Sequence, residues 1–319
     1  MTEKTHQMAA TAKASQFATA VADINDLVAL RHAVSDLAFF PRKIVRSQLA
    51  GQLRSQFRGR GMDFEEVRHY QPGDDVRTID WRVTARTEAP HTKVFREERE
   101  RPVFVIADLR RTMLFGSKQL KITTVCQLTA ALAWAGIANN DRVGALLFGT
   151  QRQLTLRPRR SHHNALQVIH SLHDLCTELP QANADRFTLS HLLEEGRRIA
   201  HPGASVFVVS DFHDLDNTSK EHLYNLTRHC DVTLCQVYDP LEQQLPPGGL
   251  YPIVSSGKRQ LLNTRNRQLQ QRCRQLFDSH QQQLQQLTGQ MGMGLLRVST
   301  QDSVPTLLRQ SYSKRRKPA

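Results

Sequence analysis

The chain has 319 residues, with 43 Lys and Arg against 30 Asp and Glu, a formal charge of +13 and 39% hydrophobic residues. That is enough for one large or two modest domains without disulfides or a structural metal, and too apolar for a disordered chain. Apolar runs such as Pro102 to Ala107 are far shorter than the roughly 20 residues of a membrane-spanning helix, and five scattered cysteines without a C-x-x-C pair fit a reduced compartment.

Residues 1–23 read as a flexible N-terminus without the apolar core of a secretory signal. Residues 24–48 read as a helical segment: Leu27, Leu30, Val34 and Leu37 recur at helical spacing from Ile24 to Phe40, and Pro41 closes the run. Between Arg42 and Arg60 stand six cations and no acid, a stretch that either attracts polyanions or is simply a solvated surface. Phe57 is its one aromatic, too few for base stacking, so nucleic acid is disfavoured as a partner.

Residues 49–100 are rich in Gly and Arg and carry short strand-like pieces, His91 to Arg96 the clearest, which predicts a small irregular β element. From 101 to 308 strands alternate with helices. Strands are expected at Val103 to Asp108, Arg142 to Gly149, Arg152 to Pro158, Ser205 to Asp211, Val232 to Asp239 and Gly294 to Thr300. Helices are expected at Lys118 to Asn140, His163 to Leu179, Leu189 to Ala200 and after Asn217, with a final short one opening at Pro305. A hairpin at Leu250 to Leu262 leads into a Gln-rich helix from Arg265 to about Gln290, whose apolar rhythm argues for a docked helix. The alternation predicts a doubly wound, mostly parallel α/β sheet. Residues 309–319 form a basic tail ending in Lys314-Arg315-Arg316-Lys317.

In an open α/β sheet, ligands sit beyond the carboxyl ends of the strands where strand order reverses. Two strands end there in an acid, Asp108 and Asp211, with hydroxyls available at Thr112 and Thr188. Such oxygens suit an octahedral Mg²⁺; equally, both aspartates can be plain helix caps. His162, His163, His170 and His173 complete no zinc spacing and read as packed or surface histidines. No G-K-[ST] follows Gly59-Arg-Gly61, so the chain has no Walker A, and no G-x-S-x-G elbow supports a hydrolase at Ser210.

The run from Gly59 to Arg86, with Gly61, Arg68, Tyr70, Pro72, Gly73, Asp74, Asp75, Arg77, Asp80, Trp81, Ala85 and Arg86 in order, resembles the signature of the bacterial family called domain of unknown function fifty-eight. The resemblance extends from about Leu27 to Leu308. It implies a von Willebrand factor A-like domain from Arg101 onward and a metal-ion-dependent adhesion site written D-x-S-x-S, with a later Thr and a later Asp. Asp108, Thr112, Thr188 and Asp211 match that pattern, and Arg110 stands where the first Ser belongs. A guanidinium has five donors and no acceptor, so it cannot ligate Mg²⁺. Either it pairs with Asp108 or Asp211 and replaces the ion, or it swings to solvent and water fills the vacancy; Mg²⁺ is the implied cofactor only in the second case. In the signature, Arg68, Arg77, Arg82 and Arg86 alternate with Asp74, Asp75 and Asp80 around Tyr70 and Trp81, which predicts a network of bidentate pairs that holds the β element or docks a partner.

The function that the resemblance implies is that of a non-enzymatic adaptor, cytoplasmic or peripheral at the inner membrane face. It would act with a MoxR-type AAA+ ATPase, and with other von Willebrand A proteins, in remodelling or maturing a protein complex. The alternative is a basic protein that binds nucleic acid or an anionic membrane surface.

Overall fold

The computed structural model describes residues 16–37, 62–97, 102–181, 184–255 and 258–312. The Arg42 to Arg60 run, the glycines at 59 and 61 and the Lys314 to Lys317 tail lie outside them. The chain divides into two compact units, one of Met1–Phe39 with Arg101–Ala319 and one of Phe40–Glu100.

In the first unit, helix α1 (Ile24–Ala33) starts at Asp23, whose carboxylate accepts the amides of Asn25 and Asp26. It stops at Ala33, short of the Phe40 that the periodicity suggested, although Val34 and Leu37 beyond it are buried as the spacing predicts.

The second unit pairs β1 (Met62–His69) antiparallel with β2 (His91–Glu97). Between them lies a short helix, α2 (Trp81–Thr87), that the sequence did not announce. Asp80 caps its start through the amides of Arg82 and Val83, and Glu88 ends it in a left-handed conformation.

The large sheet of the first unit comprises β3 (Val103–Asp108), β4 (Val143–Phe148), β5 (Gln153–Arg159), β6 (Ser205–Ser210), β7 (Asp231–Tyr238) and β10 (Gly294–Ser299). Their spatial order is β10-β7-β6-β3-β4-β5, all parallel except the edge strand β5. Strands β3, β4 and β6 are buried at every residue, which is what unbroken apolar runs require of central parallel strands. The chain leaves β3 toward β4 and β5, then returns to place β6 on the other side of β3. The reversal of strand order therefore falls between β3 and β6. This is the doubly wound architecture expected from the sequence.

Helix α3 (Lys121–Ala138) lies on one face of the sheet under α1, α4 (His162–Glu178) and α9 (Val304–Tyr312), and is buried along nearly its whole length. The other face packs α5 (Leu189–Ile199), α6 (Asn217–Thr227) and the long α8 (Arg267–Met291) over Phe104, Ile106, Val206 and Val208. After β7 come a single turn, α7 (Pro240–Gln243), and a hairpin of β8 (Leu250–Ser255) and β9 (Lys258–Asn263) that pairs only with itself. On α4, His173 is half-buried on the Ala22 carbonyl, whereas His170 is exposed, one packed and one surface histidine.

Candidate functional site: a carboxylate rim closed by two internal cations

Asp108 ends β3 at the point of strand reversal and is fully buried. An isolated carboxylate there would be prohibitively costly to ionise. Arg110, two residues on and also buried, supplies the countercharge: its Nε donates to Asp108 Oδ1 at 2.9 Å and its Nη2 to Oδ2 at 2.8 Å. The Arg110 amide donates to Oδ1 at 3.1 Å and Ser210 Oγ, from the end of β6, to Oδ2 at 2.7 Å. These four donors fill the lone-pair directions of the carboxylate.

The outer edge of the same guanidinium faces Asp214. Nη1 donates to Asp214 Oδ2 at 2.7 Å and to the Phe187 carbonyl at 3.3 Å, and Nη2 donates to Asp214 Oδ1 at 3.0 Å. Asp214 in turn accepts the first amide of α5, Leu189, at 2.9 Å. All five N–H groups of Arg110 are thus engaged, and one side chain ties β3 to the start of α5 and to the loop after β6. Burial works against the Arg110 charge, but its hydrogen bonds to Asp108 and Asp214 outweigh it and push its pKa up. Burial likewise pushes the Asp214 carboxyl up, and the Arg110 contact overcomes that to hold it below the usual range.

Asp211 is not part of this node. The backbone between the two acids passes through a left-handed residue, Phe212 with φ of 57°, which is buried; the strain of that conformation sends the two carboxylates to different cations. Asp211 Oδ2 receives Lys121 Nζ at 2.8 Å, and Lys121 also reaches Glu242 Oε1 at 2.7 Å. Burial disfavours the Lys121 ammonium, but Asp211 and Glu242 outweigh it and its pKa is raised. Glu242 is pushed up by burial and brought down further by His213 and Lys121, to about 2. His213 approaches Glu242 at 3.5 Å and stacks on His280, which hydrogen-bonds the Asp211 carbonyl at 3.0 Å. The hydrogen bond to Glu242 lifts the His213 pKa, while burial lowers that of His280. Beside them the buried Asp239 accepts from Ser117 N and Oγ, from Thr300 Oγ1 and from the Leu241 amide.

The expected quartet does not share one cation: Asp108 is held by Arg110 and Asp211 by Lys121. Thr188 is the N-cap of α5, accepting from the His191 amide at 3.3 Å, and Thr112 is exposed on a 3-10 turn. Of the two courses open to Arg110, pairing is the one taken, with Asp108 as anticipated but with Asp214 in place of Asp211. The donor set does not fit Mg²⁺: the ion would have to displace a guanidinium from a carboxylate with no free lone pair, beside an ammonium that already neutralises Asp211. Sequence reasoning missed Asp214, Lys121, Glu242 and Asp239. One signal was available, since Lys121 is a lone cation heading the apolar run Ile122 to Ala138 and a cation so placed requires a buried anion.

In the second unit the dense bidentate network is absent among the described residues. Of the signature's arginines among the described residues, Arg68 alone pairs with a carboxylate, Asp74, at 2.7 Å. Asp74 also accepts the Gln71 amide, closing a turn that needs Gly73 at φ of 109°; that amide, with Arg68, keeps its carboxyl below the usual range. Tyr70 donates to the Asp74 carbonyl, Asp75 caps a 3-10 turn through the Arg77 amide, and Asp80 caps α2 while meeting Lys93 at 3.4 Å. The acids build turns and caps, whereas Arg77, Arg82 and Arg86 are exposed without a carboxylate partner among the described residues, around a Trp81 that is 68% exposed.

Uncharacterised proteins of Mycobacterium bovis and Mycobacterium tuberculosis are 31% identical to this chain over 196 residues, which is 60% of this chain and 59% of theirs. The chain thus spans less than two thirds of the length of these relatives. Among solved structures it is similar to the conserved hypothetical protein BatB of Bacteroides thetaiotaomicron, at 16% identity, a TM-score of 0.43 and coverage of 66% of this chain and 96% of that one. It is also similar to a von Willebrand factor type A protein of Catenulispora acidiphila, at 12% identity, a TM-score of 0.29 and coverage of 46% and 35%. The family described as "Protein of unknown function DUF58" matches residues 66–285, well over half of the sequence, and the chain belongs to that family.

Proposed function

We propose that this protein is a non-enzymatic, metal-independent adaptor that acts with a MoxR-type AAA+ ATPase in remodelling or maturing a protein complex. The observation that carries the reading is the saturated Arg110: every donor on it and every acceptor position on Asp108 is used internally. The Asp108–Arg110 node, so saturated, offers neither a general base nor an open coordination position. It is a rigid support for surfaces that bind other proteins. ATP hydrolysis belongs to the partner, since the sequence has no Walker A, and the choice of partner rests on the family resemblance.

The contact surface in this reading is Trp81 with Arg77, Arg82 and Arg86, because Trp and Arg are the residue types that dominate binding hot spots. Tagged full-length protein mixed with the purified MoxR-type ATPase of the same genome should retain it in one nucleotide state. Trp81→Ala should weaken that complex by roughly tenfold or more, the loss typical of a hot-spot residue, without moving the Tm. Failure of the wild type to retain the ATPase with or without ATP would refute the reading.

A further inference from the structure

Two contacts mark the level of the sheet's carboxyl rim on α8. Phe277 packs on Tyr238, the last residue of β7, with ring centroids 5.6 Å apart, and His280 bonds the carbonyl of Asp211. Below that level Gln281, Leu284, Leu287 and Thr288 are buried. Above it the helix continues back to Arg267, ten residues or about 15 Å at the α-helical rise. The β8-β9 hairpin is fastened to this projecting half. Thr264 Oγ1 accepts the Gly249 amide at 2.9 Å and donates to the Pro247 carbonyl at 3.0 Å, and Gln270 Nε2 donates to the Thr264 carbonyl at 2.6 Å. A two-stranded hairpin is marginal alone; here its base is tied through Thr264 to the first turn of the helix, and we call hairpin and projecting half together the stalk.

The stalk has a single sign of charge. From residue 243 to residue 277 the sequence contains six Lys and Arg and no Asp or Glu. Arg259, Arg265, Arg267 and Arg272 are exposed, and none has a carboxylate partner among the described residues. Leu250, Leu261 and Leu276 stand among them at 62%, 69% and 64% exposure. We infer that this stalk is a membrane-surface contact that binds bilayers rich in anionic lipid, the arginines meeting headgroup phosphates and the leucines entering the interface.

Three features select lipid over other anions. The exposed apolar groups are aliphatic, whereas single-stranded nucleic acid is held by aromatic platforms; the hairpin's Tyr251 has its hydroxyl tied to the Pro247 carbonyl at 2.9 Å. A protein partner is gripped by aromatic or arginine anchors seated in pockets, and the cations here are spread along the stalk and frame none. A smeared anionic surface needs only net charge and insertable apolar side chains, both of which are present.

The test is sedimentation of the full-length protein with vesicles of phosphatidylcholine and phosphatidylglycerol at about 7:3, and with pure phosphatidylcholine, at physiological salt. Binding to the mixed vesicles alone is expected. The triple variant Arg265→Glu, Arg267→Glu, Arg272→Glu should lower the partition coefficient by roughly two orders of magnitude, from the contribution of three surface cations. The matched charge reversal at exposed arginines on the opposite, amino-terminal edge of the large sheet, Arg159→Glu, Arg197→Glu, Arg228→Glu, should leave it within about twofold, because binding follows the stalk's local charge and not the net charge. Circular dichroism of both variants checks that each is folded. No sedimentation with the mixed vesicles would overturn the inference, as would equal losses in the two variants or a preference for RNA oligonucleotides over lipid.

Discussion

Arg110 has a role that lysine could not fill. Its planar fork meets two carboxylates on two edges and a carbonyl on a third contact, whereas an ammonium is a point charge with three donors. Truncating one member of a buried ion pair leaves the other charge uncompensated, at a cost of about 3–5 kcal/mol. Arg110→Ala should therefore lower the free energy of unfolding by that amount in urea titrations, and Arg110→Lys should recover only a minor part of it. Glu242 gives the rim its acid limit. Its carboxyl is held at about 2 against an ordinary 4.5. The stabilisation this represents is complete above pH 4.5 and is lost as the pH falls through 2, with a ceiling of about 3 kcal/mol. Glu242→Gln should flatten the acid limb of a stability-pH curve measured between those values; an unchanged limb would place the acid sensitivity elsewhere.

Helix α5 owes its position to Gly196 as much as to its cap. A Cβ at residue 196 would lie 2.4 Å from Ile106 Cδ1 in the middle of β3, so Gly196→Ala forces the fully buried Ile106 side chain out of its place in the core. Overpacking of this kind costs about 1–3 kcal/mol, and differential scanning calorimetry should show a lowered Tm. At this scale most of the architecture was legible. Val103 to Ala107 and Val206 to Val209 are unbroken apolar runs, and they are the buried cores of β3 and β6. Helix α2 was not legible, because Trp-Arg-Val-Thr-Ala-Arg-Thr has no apolar stripe and three β-branched residues that favour strands; it exists through Asp80 at one end and Glu88 at the other. The pairing of Asp108 with Arg110 could be foreseen because both sit within one strand end. Its second partner could not, since Asp214 is brought back only by a buried left-handed residue, and Phe is a type that rarely adopts that conformation.

The molecule as a whole places its chain reversal, its buried charges and its basic stalk on one edge of the large sheet. Doubly wound sheets bind ligands at that edge, and two internal cations, Arg110 and Lys121, close it from within. In the reading proposed above this is a division of labour: buried cations hold the rim together, and exposed side chains, those of the stalk among them, make the contacts. The surplus of +13 charges is then a property of the surfaces. Isothermal titration of the full-length protein with Mg²⁺ and with Mn²⁺ decides whether an arginine has taken the place of the ion. No saturable heat is predicted with either, because the acceptor positions of Asp108 are filled and Asp211 is held by Lys121. A stoichiometric, EDTA-reversible affinity in the micromolar range would contradict it.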